Sequence, residues 1–264
     1  MEQKKLTSAQ KRRIFEKRMG KMLFPHGFFL KDHRFYKIIP GEVVIMVGLH
    51  LAAYSDRWII FATVPFCADA ELLRQETGFF DAVSYWSNDE WSYGRPFEQA
   101  LDIEFDDFEQ RFFKHLISIR SVHDLYPFEV YLENMAYRNP KPWYRLADKY
   151  DFEVAIRTQN YDVAMERLQN RYELRKERVE DCRKRLATKH SFALKCPVKS
   201  YAEYRIAEAE EELAKALAEA APYERWIHQL ETGDYAELNA MIDRTIEEST
   251  QIYKEKFGKH YPGK

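Results

Sequence analysis

Glycine and proline are scarce in this chain, 9 and 10 among 264 residues. So few breakers exclude a loop-rich fold and argue for long helices. Cysteine is scarcer still. Cys67, Cys182 and Cys196 share no CxxC spacing and are odd in number, which points to ordinary thiols in a reducing, cytoplasmic setting. No long apolar run exists either. The longest, Val43 to Leu49, is far too short to span a bilayer, and the opening MEQKKLTSAQKRRIFEKR has no apolar core and reads as no signal peptide. Neither sign of charge dominates: 41 Lys and Arg face 43 Asp and Glu, for a net charge of −2. Nothing global therefore draws the chain to nucleic acid or to acidic membranes. Catalytic signatures are missing as well. There is no GxSxG, P-loop or GxGxxG, no HExxH, and no Cys/His pattern with ligand spacing. No metal and no cofactor is implied.

What is present is a core and much charge. Apolar residues make up 45%, charged residues 32% and aromatics 15%. The excess charge argues for helices with wet outer faces. Thr7-Ser8-Ala9-Gln10 has the form of a capping box, with Phe15, Met19, Met22 and Leu23 on one side of the helix behind it. Three β-like runs follow: Phe28–Ile39, broken near Lys31-Asp32-His33, then Glu42–Tyr54, then Trp58–Val64. Their short connections predict an antiparallel meander rather than βαβ units. A short helix is expected over Asp69–Thr77, and two more near Asp107–Ile119 and Pro127–Tyr137.

Asn139-Pro140-Lys141-Pro142 is the best boundary in the chain, since prolines so close break any helix. Beyond it Met165, Leu168, Tyr172, Val179, Cys182 and Leu186 step by three and four, with Arg175 filling the missing seam position, and Ala202, Ile206, Ala209, Leu213, Ala216 and Ala220 make a second, narrower seam. The first of these helices leans basic and the second acidic, which predicts an antiparallel hairpin whose register charge helps to set. A loop is expected over Ser191–Lys199. Pro222 is expected to interrupt the second helix, and a third near Tyr235–Phe257 to complete a three-helix bundle. Two similar turns, Thr158-Gln159-Asn160-Tyr161 and Thr232-Gly233-Asp234-Tyr235, precede helices. The expected fold is thus α+β: residues 1–139 an antiparallel sheet with packed helices, residues 140–264 a helical bundle with a long antiparallel hairpin.

Candidate sites are weaker. His26, His33 and His50 fall in the sheet region and could meet a carboxylate, but read more simply as separate structural histidines. Asp102-Ile103-Glu104-Phe105-Asp106-Asp107 could pair carboxylates, yet read better as acids at a helix start. Cys67 has no basic neighbour to activate it and reads as an inert buried thiol. The stretch SYWSNDEWSY, residues 84–93, reads as a loop or hairpin between sheet and helices. Its rings either cap the core or form a binding surface. On the second reading Trp86, Asp89, Glu90, Trp91 and Tyr93, with Arg95, are the candidate binding residues.

The first half, through HGFFLKDHRFYKIIPGEVVIMVGLHL and YWSNDEW, resembles an uncharacterised bacterial family, domain of unknown function 4304. Gly27-Phe28 after the first helix, Phe35-Tyr36 in the first strand region and Trp86 or Trp91 are the matching positions. The resemblance implies an α+β fold and no particular activity. The leading expectation is a non-enzymatic binding or adaptor protein of the bacterial cytosol. Its expected partner is a protein, with neither a membrane nor a nucleic acid expected. The alternatives are an enzyme with a histidine–carboxylate site in the sheet region, and a nucleic-acid-binding protein using Arg12, Arg13 and Lys17 with Arg183 to Arg185.

Overall fold

Thr7 opens the first helix. Its hydroxyl accepts the Gln10 amide at 3.3 Å, and Gln10 Oε1 accepts the Thr7 amide at 2.9 Å. Two amides that a helix start leaves unpartnered are thereby satisfied. The structure, a computed structural model, describes residues 6–51, 58–67, 83–86, 96–138 and 152–263. The expected helix over Asp69–Thr77 and the Asn139–Pro142 boundary lie outside them.

The helices are α1 (Ser8–Leu23), α2 (Phe97–Phe108), α3 (Lys114–Ser118), α4 (Leu125–Arg138), α5 (Phe152–Arg157), α6 (Tyr161–Ala193), α7 (Lys199–Thr232) and α8 (Ala236–Phe257). The strands are β1 (Phe29–Lys31), β2 (Arg34–Ile39), β3 (Val43–His50), β4 (Trp58–Pro65) and β5 (Val83–Trp86). The strands form one antiparallel sheet in the order β1-β2-β3-β4-β5. Between β1 and β2, Asp32 and His33 both adopt positive φ, 48° and 64°. That is the backbone of a tight two-residue hairpin, which Asp and His tolerate better than most side chains.

Strand alternation gives the sheet two apolar faces. Phe35 meets Phe15 of α1 at 6.2 Å between ring centres. On the same face Phe61 meets Phe108, Phe112 and Phe128 at 6.4, 5.3 and 5.9 Å. The other face presents Tyr36, Ile38, Val44, Met46, Ile60, Ala62 and Val64, clustered with Tyr253, Phe257 and Tyr261. A strand buried on both sides reads as a nearly unbroken apolar run, as β3 and β4 do.

Four expectations are corrected. The helix expected from Asp107 begins at Phe97, behind Pro96. The acids Asp102 to Asp107 therefore lie within it and cap nothing. Asp102 pairs with Arg18, Asp107 with Arg111 at 2.7 Å, and Glu104 is buried. Of the stretch 84–93, expected as a loop or hairpin, residues 84–86 belong with Val83 to β5, paired with Ile60–Thr63, since Val, Tyr and Trp suit a strand and β4 supplies the ladder. The end of α8 does not complete a three-helix bundle, because Tyr253 and Phe257 belong to the sheet's core. Finally, α7 runs through Pro222 without a break.

The chain folds as two compact units, Met1–Thr158 with Ile242–Lys264, and Gln159–Met241. The first is the α+β unit. The second holds α6 and α7, which pack antiparallel over Val179, Cys182, Ala216 and Ala220, with Leu213 beside them. Ion pairs hold the register: Arg175 and Arg178 to Glu219 at 2.9 and 2.7 Å, and Arg185 to Glu212 at 3.8 Å. Each such exposed pair is worth only about 0.2–1 kcal/mol, so the apolar seam supplies most of the stability. The two similar turns also proved alike in detail. Gln159 and Gly233 both take left-handed backbone, and Thr158 and Thr232 each donate to the carbonyl four residues back. Tyr161 and Tyr235 stack on each other, ring centres 3.9 Å apart.

Candidate functional site

Ala193 ends α6 and Lys199 starts α7, so the reversal takes the five residues Leu194–Val198. The Leu194 amide bonds to the His190 carbonyl at 3.3 Å and the Lys195 amide to Phe192 at 3.0 Å, winding up the helix end. Pro197 then bars Cys196 from helical backbone. Val198 occupies the N-cap position of α7, with φ −103° and ψ 92°, and makes no capping bond. A valine there cannot accept an amide hydrogen. Serine or aspartate would stabilise the helix by about 1 kcal/mol more. Folding of the hairpin does not explain this residue.

Nor does folding explain its neighbours. Ten large apolar side chains stand exposed among the described residues, and five of them, Phe192, Leu194, Val198, Tyr201 and Tyr204, fall within positions 192–204. Leu194 is 89% exposed and Val198 55%. Single exposed apolar side chains are ordinary, but a concentration of them at one place marks a contact surface. The Phe192 and Tyr201 rings meet edge-on at 6.4 Å across the reversal, so the patch is continuous from one helix to the other.

The charge around it is one-sided. From Cys182 to Ala202 there are six Lys and Arg and no Asp or Glu. Arg183 and Arg185 reach acids outside that stretch, Glu180 and Glu212, both at 3.8 Å. Lys189, Lys195 and Lys199 make no ion pair among the described residues. The tip of the hairpin is therefore an apolar knob ringed by cations, in a chain whose net charge is −2.

Two grooves offer less. One of about 770 Å³ runs along the hairpin beside Tyr172, Val179, Leu217 and Ala220. Another, of about 530 Å³, lies between α1 and the π-helical turn Glu109–Phe113, lined by Arg18, His26, Phe105 and Glu109. Both mix charges of either sign with apolar surface, and in neither does a nucleophile meet a base.

The residues singled out in the sequence are scattered. Trp86 ends β5, pairing with Ile60. Asp89, Glu90, Trp91, Tyr93 and Arg95 lie outside the described residues. His33 Nδ1 stands 2.6 Å from Glu16 Oε1, but on the exposed β1–β2 turn, where the pair ties the turn to α1. His26 packs edge-on against Phe113. Cys67 is buried, and that burial, with the Glu153 carboxylate second, pushes its thiol pKa far up, which leaves it unreactive. On the basic face of α1, Lys11 is buried with its ammonium over the Phe97 ring, and Arg18 covers Phe105. Part of that face is core rather than surface.

Gly27-Phe28 and Phe35-Tyr36, which carry the family resemblance, have clear structural work. Gly27 supplies the φ of 82° that turns the chain out of α1, and Phe28, Phe35 and Tyr36 are buried. Sequence reasoning located the hairpin and its basic lean but not the apolar tip. The available signal was Leu194, Val198 and Tyr201, apolar residues off both seams in a stretch without an acid.

Among the described residues no helix is long and apolar enough to cross a membrane, and no cluster of three or more His, Cys, Asp or Glu could hold a metal. No protein-family model, curated protein or solved structure matches the chain.

Proposed function

We propose that this chain is a non-enzymatic binding or adaptor protein, and that it makes contact through the tip of its α6–α7 hairpin. The observation that carries the reading is the tip itself: five exposed apolar side chains within positions 192–204, four of them in the run Cys182–Ala202, which has six Lys and Arg and no acid. Apart from the Phe192–Tyr201 contact, these side chains lie off the hairpin seam and cost solubility, so a binding role is the simplest explanation of the patch. The seam supports the same view. It is long, narrow and braced by ion pairs, and so fixes the tip at one end of the hairpin. From the Tyr172–Glu224 contact to the tip, α6 extends by roughly 30 Å at about 1.5 Å per residue.

A photo-reactive residue placed at Leu194, and a control at the exposed Ala214 midway along α7, test the reading. In extracts of the native host, adducts are expected at position 194 and few at 214. Equal adduct yields at both positions would remove the tip as the contact surface.

A further inference from the structure

We infer that the hairpin tip seats on an anionic lipid surface, with Leu194 and Val198 entering the headgroup region and Lys189, Lys195 and Lys199 facing lipid phosphates and carboxylates. The inference rests on the tip being the contact surface and adds the class of partner.

Three features of the tip select this partner. First, its charge is of one sign. Lys189 lies just before the last turn of α6, Lys195 in the reversal and Lys199 at the start of α7, so all three sit at the tip end of the hairpin. Anionic lipids attract such clusters through the surface potential, which acts over about one Debye length. Second, the most exposed side chain of the tip, Leu194, is aliphatic. Leu194 at 89% and Val198 at 55% protrude from a convex end. A nucleic acid rewards cations and stacked rings but offers little to a protruding leucine. A protein would need a socket shaped to receive that end, whereas a bilayer interface accepts it without any matching shape. Third, Tyr201 and Tyr204 lie just behind the tip on α7, 51% and 63% exposed. Rings with one polar end favour the depth where headgroups meet acyl chains.

The expectation that no membrane partner exists drew on the net charge and on the lack of a spanning run. Both are averages over the chain or over a long segment. A knob of five apolar side chains at a helical reversal changes neither, and a peripheral contact requires no spanning helix.

The test is flotation of the full chain with vesicles of phosphatidylcholine alone and of phosphatidylcholine with phosphatidylserine, at low and at physiological salt. Two variants accompany the wild type, Leu194→Ser with Val198→Ser, and Lys195→Glu with Lys199→Glu. All four positions are exposed, and circular dichroism confirms that each variant keeps its helices. The wild type is expected to float with the phosphatidylserine vesicles and not with phosphatidylcholine alone, and to float less as salt rises. Each variant is expected to lose affinity by on the order of tenfold or more. Equal flotation with both vesicle types, or variants that float as well as the wild type, overturns the inference. So does salt-dependent binding to a single-stranded oligonucleotide that ignores Leu194→Ser, which would assign the tip to nucleic acid. Selective crosslinking from position 194 to a protein, without flotation, overturns the lipid assignment and leaves the tip as the contact surface.

Discussion

Tyr172 donates its hydroxyl hydrogen to Glu224 across the hairpin. A phenolate could not donate, so the bond holds the tyrosine in its neutral form. Its pKa is pushed up from 10.0 to about 12, first by this hydrogen bond, then by desolvation and by the Glu224 charge. A group whose pKa rises on folding lends stability that is complete below its unfolded value and lost as pH climbs through the folded one. Tyr172 therefore stabilises the hairpin fully below pH 10 and ceases to do so above about 12. Denaturant midpoints of the wild type and of Tyr172→Phe, followed by helical circular dichroism, should differ at neutral pH and converge across that window. Comparing the two proteins at each pH removes the titration of lysines, which both share. A gap that stays constant to the top of the window would mean that the Tyr172–Glu224 bond does not contribute. Cys67 offers a contrast at the same scale. Its pKa is raised chiefly by burial, which outweighs a backbone hydrogen bond and the Arg157 charge that favour the thiolate, and the chain places it as packing.

Among the elements, α8 has the most to say about how a helix finds its partner. Its buried positions Ile242, Ser249, Tyr253 and Phe257 recur at helical spacing, so a buried face was legible from periodicity. The partner was not, because periodicity carries no address. Side-chain size does carry one. The α6–α7 seam is lined by Ala209, Ala216 and Ala220 and admits little bulk, whereas the sheet face of Tyr36, Met46 and Val64 is wide enough for Tyr253 and Phe257. Phe257 lies 4.9 Å from Tyr36 and 5.7 Å from Phe29, ring centre to ring centre. Phe257→Ala should thus weaken the sheet unit by about 3–5 kcal/mol, the usual cost of emptying a buried phenylalanine site. Hydrogen exchange is the informative measurement: amides of β2, β3 and β4 should lose protection while those of α6 and α7 keep theirs. Loss confined to α6 and α7 would return α8 to the bundle that periodicity suggested. The capping box at Thr7, the antiparallel meander and the charge-set hairpin were all readable because each depends on residues close in sequence or on a strict period. The strand at 83–86 was not, since its four residues acquire their conformation from the ladder with β4. The tip escaped for a different reason. Exposure depends on which faces the seams use, and that is known only once both helices are paired.

For the whole molecule, the two units rest on cores of very different make-up. The sheet unit buries Phe15, Phe35, Phe61, Phe66, Phe108, Phe112, Phe152 and Phe257, each under 2% exposed or nearly so. The hairpin seam buries Val179, Cys182, Ala216 and Ala220 with help from Leu213. Burial contributes roughly 25 cal/mol per Å² of apolar surface, and a phenylalanine brings far more surface than an alanine. Length does not compensate, because an isolated helix adds little beyond its packing. The hairpin should therefore open at lower denaturant than the sheet. Two native thiols report on the two cores separately: Cys182 is buried in the hairpin seam and Cys67 in the sheet unit. Brief exposure to a thiol reagent across a urea series, with each modified cysteine identified by mass, should show Cys182 reacting before Cys67. Cys196, partly exposed at the hairpin reversal, should react without urea and mark full reagent access. Simultaneous protection and loss at Cys182 and Cys67 would mean that the chain unfolds as one cooperative body.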